Sequence, residues 1–175
     1  TELLSREEIT ELLLSRYPEA EALRRSAPGE FAQIITAAGG CAGVAVELLN
    51  PRKRAPVLAD LETVRRIVSV AAGGSPGEVL ALLAGLGQKR DELTSRLGLC
   101  LLALRDLVLL KKSEEAPLCF FTDREEALTL SCRFPTRTLL RLCGAIDTAM
   151  DRLRANGNVR LILTTLGTQS GLLSV

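Results

Sequence analysis

Apolar residues recur at three- and four-residue spacing along nearly the whole chain, the period of helices buried on one side. The clearest case is near the C-terminus. There Leu139, Leu142, Cys143, Ile146, Ala149, Met150 and Leu153 form one stripe, and Arg141, Asp151, Arg152 and Arg154 line the other side. This predicts a helix from about Pro135 to Ala155, followed by a second from Asn158 to about Leu173. At the joint Asn156-Gly157-Asn158, Gly157 is expected to take the left-handed conformation that ends one helix, and Asn158 to cap the next. The second helix is apolar around much of its circumference, so neighbours outside the chain are expected to cover part of it.

Upstream, Ser5-Arg6-Glu7-Glu8 reads as a capping box opening a helix with Ile9, Leu12 and Leu13 on its apolar side. A short helix is expected over Ala20 to Ser26, and a third from Pro28 to Ala38, stopped by Gly39-Gly40. The pattern then resumes from Cys41 to Leu49. Pro51-Arg52-Lys53-Arg54-Ala55-Pro56 interrupts it with prolines and three charges, and is read as a linker. Its basic run is weighed as a solvated connection against a phosphate-contacting strap. Further helices are expected over Leu58 to Ala72, Ser75 to Leu83, Gln88 to Lys112 and Arg124 to Arg133. Ser75-Pro76-Gly77-Glu78 supplies a second capping box, and Glu92 and Arg96 an i,i+4 pair. Ser113 to Phe121 is expected to be irregular, with Phe120-Phe121 as an anchor and Thr122 or Asp123 as the following cap. No strand is expected. The whole is an all-α chain, with a small helical domain over 1–52 and a bundle of about six helices over 56–175.

Composition narrows the function more by exclusion. The 175 residues are 47% hydrophobic, and the net charge is only +1, so there is no global field for nucleic acid or anionic membrane. Aromatics make up 3%, with no Trp, which argues against base-stacking platforms. Five cysteines lack C-x-x-C spacing and suggest a reduced, cytoplasmic chain without a disulfide framework or zinc site. No apolar run is long enough to span a bilayer. The start at Thr1, without Met, is expected of a piece of a longer protein.

Catalytic chemistry is not expected within this chain. It has no His and no Gly-Lys-Ser/Thr loop, and Cys143 sits on an apolar stripe with no base to activate it. Neither a cofactor nor a metal is expected. The polar residues of interest are Arg105-Asp106, which interrupt a leucine-rich helix, and Arg160, one turn into the last helix. Arg105 and Asp106 are read either as a solvated stripe or as a contact to a neighbouring helix or subunit. Arg160 is read as pairing with Asp147 or Asp151 or as facing a partner.

The order of Gly40-Cys41-Ala42-Gly43-Val44-Ala45, a linker, Leu104-Arg105-Asp106-Leu107 and Asn156-Gly157-Asn158-Val159-Arg160-Leu161 resembles bacterial DNA polymerase III clamp-loader subunits, most closely the delta-prime family. The likeness would cover the C-terminal two-thirds of such a subunit. It implies an AAA+ lid over 1–52 and a collar domain over 56–175, the collar packing against other loader subunits. Arg105, Asp106, Asn156, Asn158 and Arg160 would then be partner-binding. The sliding clamp and primer-template DNA would be met through the whole complex, whose parent activity is that of a DNA polymerase holoenzyme, with no membrane and no small-molecule substrate. ATP-binding relatives carry an Arg in the lid at the position matching Gly43, so its absence points to a non-catalytic subunit. The alternatives are an ATP-hydrolysing gamma- or tau-type subunit and a free-standing helical adaptor.

Overall fold

In the computed structural model, which describes residues 4–87 and 89–169, all regular structure is helical. Ten helices are seen among the described residues, and contacts divide the chain into two units, Thr1–Glu62 and Thr63–Val175.

The first unit contains α1 (Arg6–Arg16), α2 (Pro18–Ser26), α3 (Pro28–Ala38) and α4 (Ala42–Glu47). Both arms of the first capping box are made: Ser5 Oγ accepts the Glu8 N–H at 3.2 Å, and Glu8 Oε2 accepts the Ser5 N–H at 2.8 Å. Pro18 and Pro28 occupy first helical turns, where a missing N–H loses nothing. Gly39 ends α3 with φ 54°, a left-handed conformation that a Cβ would strain. Ile9, Leu13, Ala20, Phe31, Ile35, Ala38 and Ala45 form the shared core. Val44, expected on the apolar pattern, is instead 41% exposed.

The reading of Pro51 to Pro56 as a linker is overturned. Helix α5 runs from Pro51 to Ala71 with Pro56 inside it. Asn50 starts it, its Oδ1 accepting the Arg52 N–H at 3.0 Å, and Pro51 takes the favoured first position. Pro56 removes one backbone bond near the helix start. The basic residues hold the turn by other means: Arg54 reaches Glu30 at 3.1 Å and the Leu49 carbonyl at 3.2 Å, and Lys53 reaches Glu47 at 3.1 Å. Side-chain bonds at the first turn thus outweigh the helix-breaking tendency of proline.

The second unit contains the rest of α5 with α6 (Pro76–Ala84), α7 (Arg90–Leu110), α8 (Arg124–Arg133), α9 (Thr136–Arg154) and α10 (Val159–Gln169). Helix α7 packs against α8 and α9, while α10 packs against α6 and α9. Leu93, Leu97, Leu104 and Leu107 of α7 and Leu139, Leu142 and Ile146 of α9 are all buried. A small apolar void of about 50 Å³, lined among others by Ile67, Leu83, Leu97, Cys100 and Leu166, lies within it.

Helix α10 finds two neighbours within its own unit. Ile162, Leu163 and Leu166 are buried, and α6 and α9 supply the two neighbours from the same unit. Leu161 remains outside, 65% exposed. The stretch expected to continue to Leu173 lies beyond the described residues.

Candidate interaction surface

Of the residues singled out by sequence, Asp106 has the most definite environment. It is 0% exposed on α7, and its carboxylate accepts the N–H groups of Cys119, Phe120 and Phe121 at 2.8, 2.7 and 3.2 Å. Arg105 Nη1 donates to Asp106 Oδ1 at 3.1 Å and to Cys119 Sγ at 2.9 Å. Three amides and a guanidinium satisfy a buried charge that would otherwise be very unfavourable. Asp106 therefore binds a segment of its own chain and offers no surface to a partner. It is not part of a solvated stripe either. Arg105 has a side chain 45% exposed and keeps an outward edge.

The loop bound by Asp106 is held from its other end by Arg124, whose guanidinium donates to the Glu114 and Ala116 carbonyls. Arg90 similarly donates to the Leu153 carbonyl at 2.8 Å, satisfying a terminal acceptor of α9. Sequence reasoning missed both arginines. Each bonds to backbone atoms, and a carbonyl leaves no residue-type signature.

The α9–α10 joint is built largely from residues named in advance. Asn158 caps α10, its Oδ1 accepting the Leu161 N–H at 3.1 Å. The left-handed residue is not Gly157 but Asn156, at φ 60°. The Gly157 N–H reaches the Arg152 carbonyl at 2.8 Å and the Asn156 N–H reaches the Leu153 carbonyl at 3.1 Å, the paired bonds of a Schellman ending. Asn tolerates this conformation better than most residues. Gly157 serves a different need: a Cβ there would lie 2.8 Å from the Arg152 carbonyl oxygen. Arg160 is exposed and pairs with neither Asp147 nor Asp151; Asp151 pairs with Arg154 at 2.9 Å.

Gly43 lies exposed in the short helix α4, and a Cβ built there meets nothing within 4 Å. The fold itself does not demand glycine at this position. In the same unit, Arg6, Glu7, Glu11, Leu14, Phe31 and Ile35 line much of an open groove of about 750 Å³ between α1 and α3. In the basic run, Lys53 and Arg54 are engaged with Glu47 and Glu30, which leaves little for a phosphate strap.

Cysteine chemistry follows burial. Enclosure pushes the Cys100 thiol up to about 12, and partial burial, with the nearby Asp147 charge, raises that of Cys143. Both shifts disfavour the thiolate that a nucleophile requires. Among the described residues, no group of three or more His, Cys, Asp or Glu is placed to hold a metal ion, and no helix is long and apolar enough to cross a membrane.

Gly43 belongs to the first unit, and the Arg105–Asp106 pair and the α9–α10 joint belong to the second. What faces outward at the joint is Arg160, Leu161 and the arginine-bearing side of α9. Comparison of the chain with protein-family models, with curated proteins and with solved structures finds no match.

Proposed function

We propose that the chain is a non-catalytic part of a bacterial clamp-loader subunit of the delta-prime type. Its first 52 residues would be the AAA+ lid, and residues 56–175 the collar through which it assembles with other loader subunits in the cytoplasm. It would meet the sliding clamp and primer-template DNA only through the complex. The observation that carries the reading most is the α9–α10 joint. There Arg160 and Leu161 stand exposed in the first turn of α10. The lid position Gly43, which bears no cation for a nucleotide phosphate, supports a non-catalytic subunit.

A second reading draws on the same glycine. Because the fold does not require Gly43, a local departure within an ATP-hydrolysing gamma- or tau-type subunit is equally compatible with its surroundings. Two measurements on the complete protein separate these readings from each other and from an unrelated adaptor. Purification of the tagged protein from its own cell is expected to bring down clamp-loader subunits, identified by mass spectrometry; their absence would overturn the proposal. Calorimetric titration with a non-hydrolysable ATP analogue is expected to show no binding, and tight binding would instead establish the motor reading.

A further inference from the structure

We infer that Asn156-Gly157 is a site of spontaneous modification, a deamidation that the folded ending of α9 holds in check and that, once it has occurred, prevents that ending from re-forming. The inference stands on the α9–α10 joint alone and does not depend on the clamp-loader reading.

An asparagine deamidates when the backbone nitrogen of the next residue, having lost its proton to base, attacks the side-chain carbonyl carbon. At this site the new bond joins the Gly157 nitrogen to Asn156 Cγ, the Cγ–Nδ2 bond breaks, and ammonia leaves a cyclic succinimide behind. Water then opens the ring. Attack at Cγ gives aspartate in the ordinary chain. Attack at the main-chain carbonyl carbon gives isoaspartate, in which the backbone runs through the side chain and gains a methylene. The net change is one water in and one ammonia out.

The chain has three asparagines, Asn50, Asn156 and Asn158, and their neighbours rank them. Asn50 precedes Pro51, which has no N–H to lose. Asn158 precedes Val159, whose branched side chain crowds the nucleophile, and its Oδ1 is engaged by the Leu161 N–H at 3.1 Å. Asn156 is exposed and precedes a glycine, which puts no side chain in the way of the attack.

The fold denies this reactive pair the geometry it needs. The Gly157 N–H, the nucleophile's proton, is donated to the Arg152 carbonyl at 2.8 Å, so base does not reach it while that bond stands. At φ 60° Asn156 holds the left-handed conformation of the ending, which turns the Gly157 nitrogen nearly opposite the Asn156 side chain about the Cα–C bond. Ring closure needs both on the same side. The peptide between them must therefore swing by nearly half a turn, and the swing breaks the bond to Arg152. Ile162 of α10 crowds the same peptide, its Cδ1 lying 3.1 Å from a Cβ built on Gly157. Attack waits for the joint to open.

Isoaspartate then keeps it open. The Asn156 N–H reaches the Leu153 carbonyl at 3.1 Å, and this bond and the Gly157 bond together fix the length of backbone between the two amides. An added methylene displaces the Gly157 amide from the Arg152 carbonyl and carries the start of α10 with it. Because α10 packs on α6 and α9 and buries Ile162, Leu163 and Leu166, the displacement reaches the interior of the second unit.

The test uses the full chain in mildly alkaline buffer, folded or in guanidinium chloride. Trypsin releases both Asn156 and Asn158 in the peptide 155–160, where fragmentation assigns the mass gain to one residue and electron-transfer fragmentation identifies isoaspartate. Asn156 is expected to deamidate at least tenfold faster in denaturant than in the folded chain, and at least tenfold faster than Asn158 in denaturant. After refolding, the acidic fraction rich in isoaspartate is expected to melt at a lower temperature than Asn156→Asp. Asn156→Gly, with no amide to lose at that position, should pass through the same treatment with its melt unchanged. Equal rates in the folded and denatured chain would overturn the inference, as would a denatured Asn158 that keeps pace with Asn156. So would an acidic fraction that melts level with Asn156→Asp.

Discussion

The carboxylate of Asp106 accepts the N–H of Phe120 at 2.7 Å, tying the interior of α7 to the loop that carries the Phe120–Phe121 anchor. The same carboxylate accepts the two flanking amides, and the anchor rings are buried edge to face at 5.1 Å. One side chain thus positions a segment with no regular structure of its own.

Asp106→Ala would leave these amides without an acceptor inside the protein and is expected to destabilise the chain by about 3–5 kcal/mol. Asp106→Asn keeps one acceptor oxygen and should cost about 1–3 kcal/mol. Urea denaturation followed by circular dichroism reads both. A loss below about 1 kcal/mol for the alanine variant would mean that the loop is not held by this carboxylate.

At the α9–α10 joint the two neighbouring residues are expected to respond oppositely to small changes. Asn156→Gly should be neutral or stabilising by up to about 1 kcal/mol, because glycine adopts φ 60° without strain. Gly157→Ala should destabilise by about 1–3 kcal/mol, because the added Cβ meets the Arg152 carbonyl oxygen at 2.8 Å. Thermal melts of the two variants side by side decide the matter; the reverse order would place the left-handed residue at Gly157 after all.

The second capping box makes stability dependent on pH in a definite direction. Glu78 accepts from the Ser75 N–H and hydroxyl at 2.8 and 3.1 Å, and these bonds hold its carboxyl below the ordinary 4.5. A depressed folded value means that the stabilisation is present above the unfolded value and lost as pH falls through the folded one. The difference in urea midpoint between the wild type and Glu78→Gln should therefore be greatest at neutral pH and shrink below 4.5. A difference independent of pH would exclude the ionised carboxylate as the cap.

Thiol reactivity should sort by burial. Cys41 and Cys132 are exposed and are expected to react promptly with a maleimide in the native protein. Cys100, buried and pushed up to about 12, should react only on unfolding. Mass spectrometry of labelled peptides with time checks the order, and prompt labelling of Cys100 would mean that the interior around α7 opens readily.

Helix content was highly legible in the chain, and so were both capping boxes and the Asn158 cap of α10, while of the two candidates for the α8 cap, Thr122 and Asp123, the structure uses Asp123. All of these signals close within three or four residues. Two local readings still failed. Pro51 to Pro56 is helical because Asn50 and the contacts of Lys53 and Arg54 support its first turn. The left-handed position moved from Gly157 to Asn156 because the crowding at Gly157 is set by the Arg152 carbonyl and by Ile162 on the next helix.

The candidate surface was only half legible. The apolar stripe of α9 and the arginines opposite it were readable from spacing, as was the attention due to Asn158 and Arg160. That Thr148 and Thr165 lie together where α9 packs on α10 was not, because it depends on how two helices pack.

From sequence alone followed an all-helical chain, the capped starts of α1, α6 and α8, and which side of α9 is apolar, because each rests on hydrogen bonds or periodicity within a few residues. Tertiary structure alone decided that Asp106 is an internal ligand of its own loop, that α10 finds both neighbours within its unit, and that Leu161 is left outside. Those outcomes depend on which distant backbone amides and side chains packing brings together, and no spacing along the chain encodes that directly.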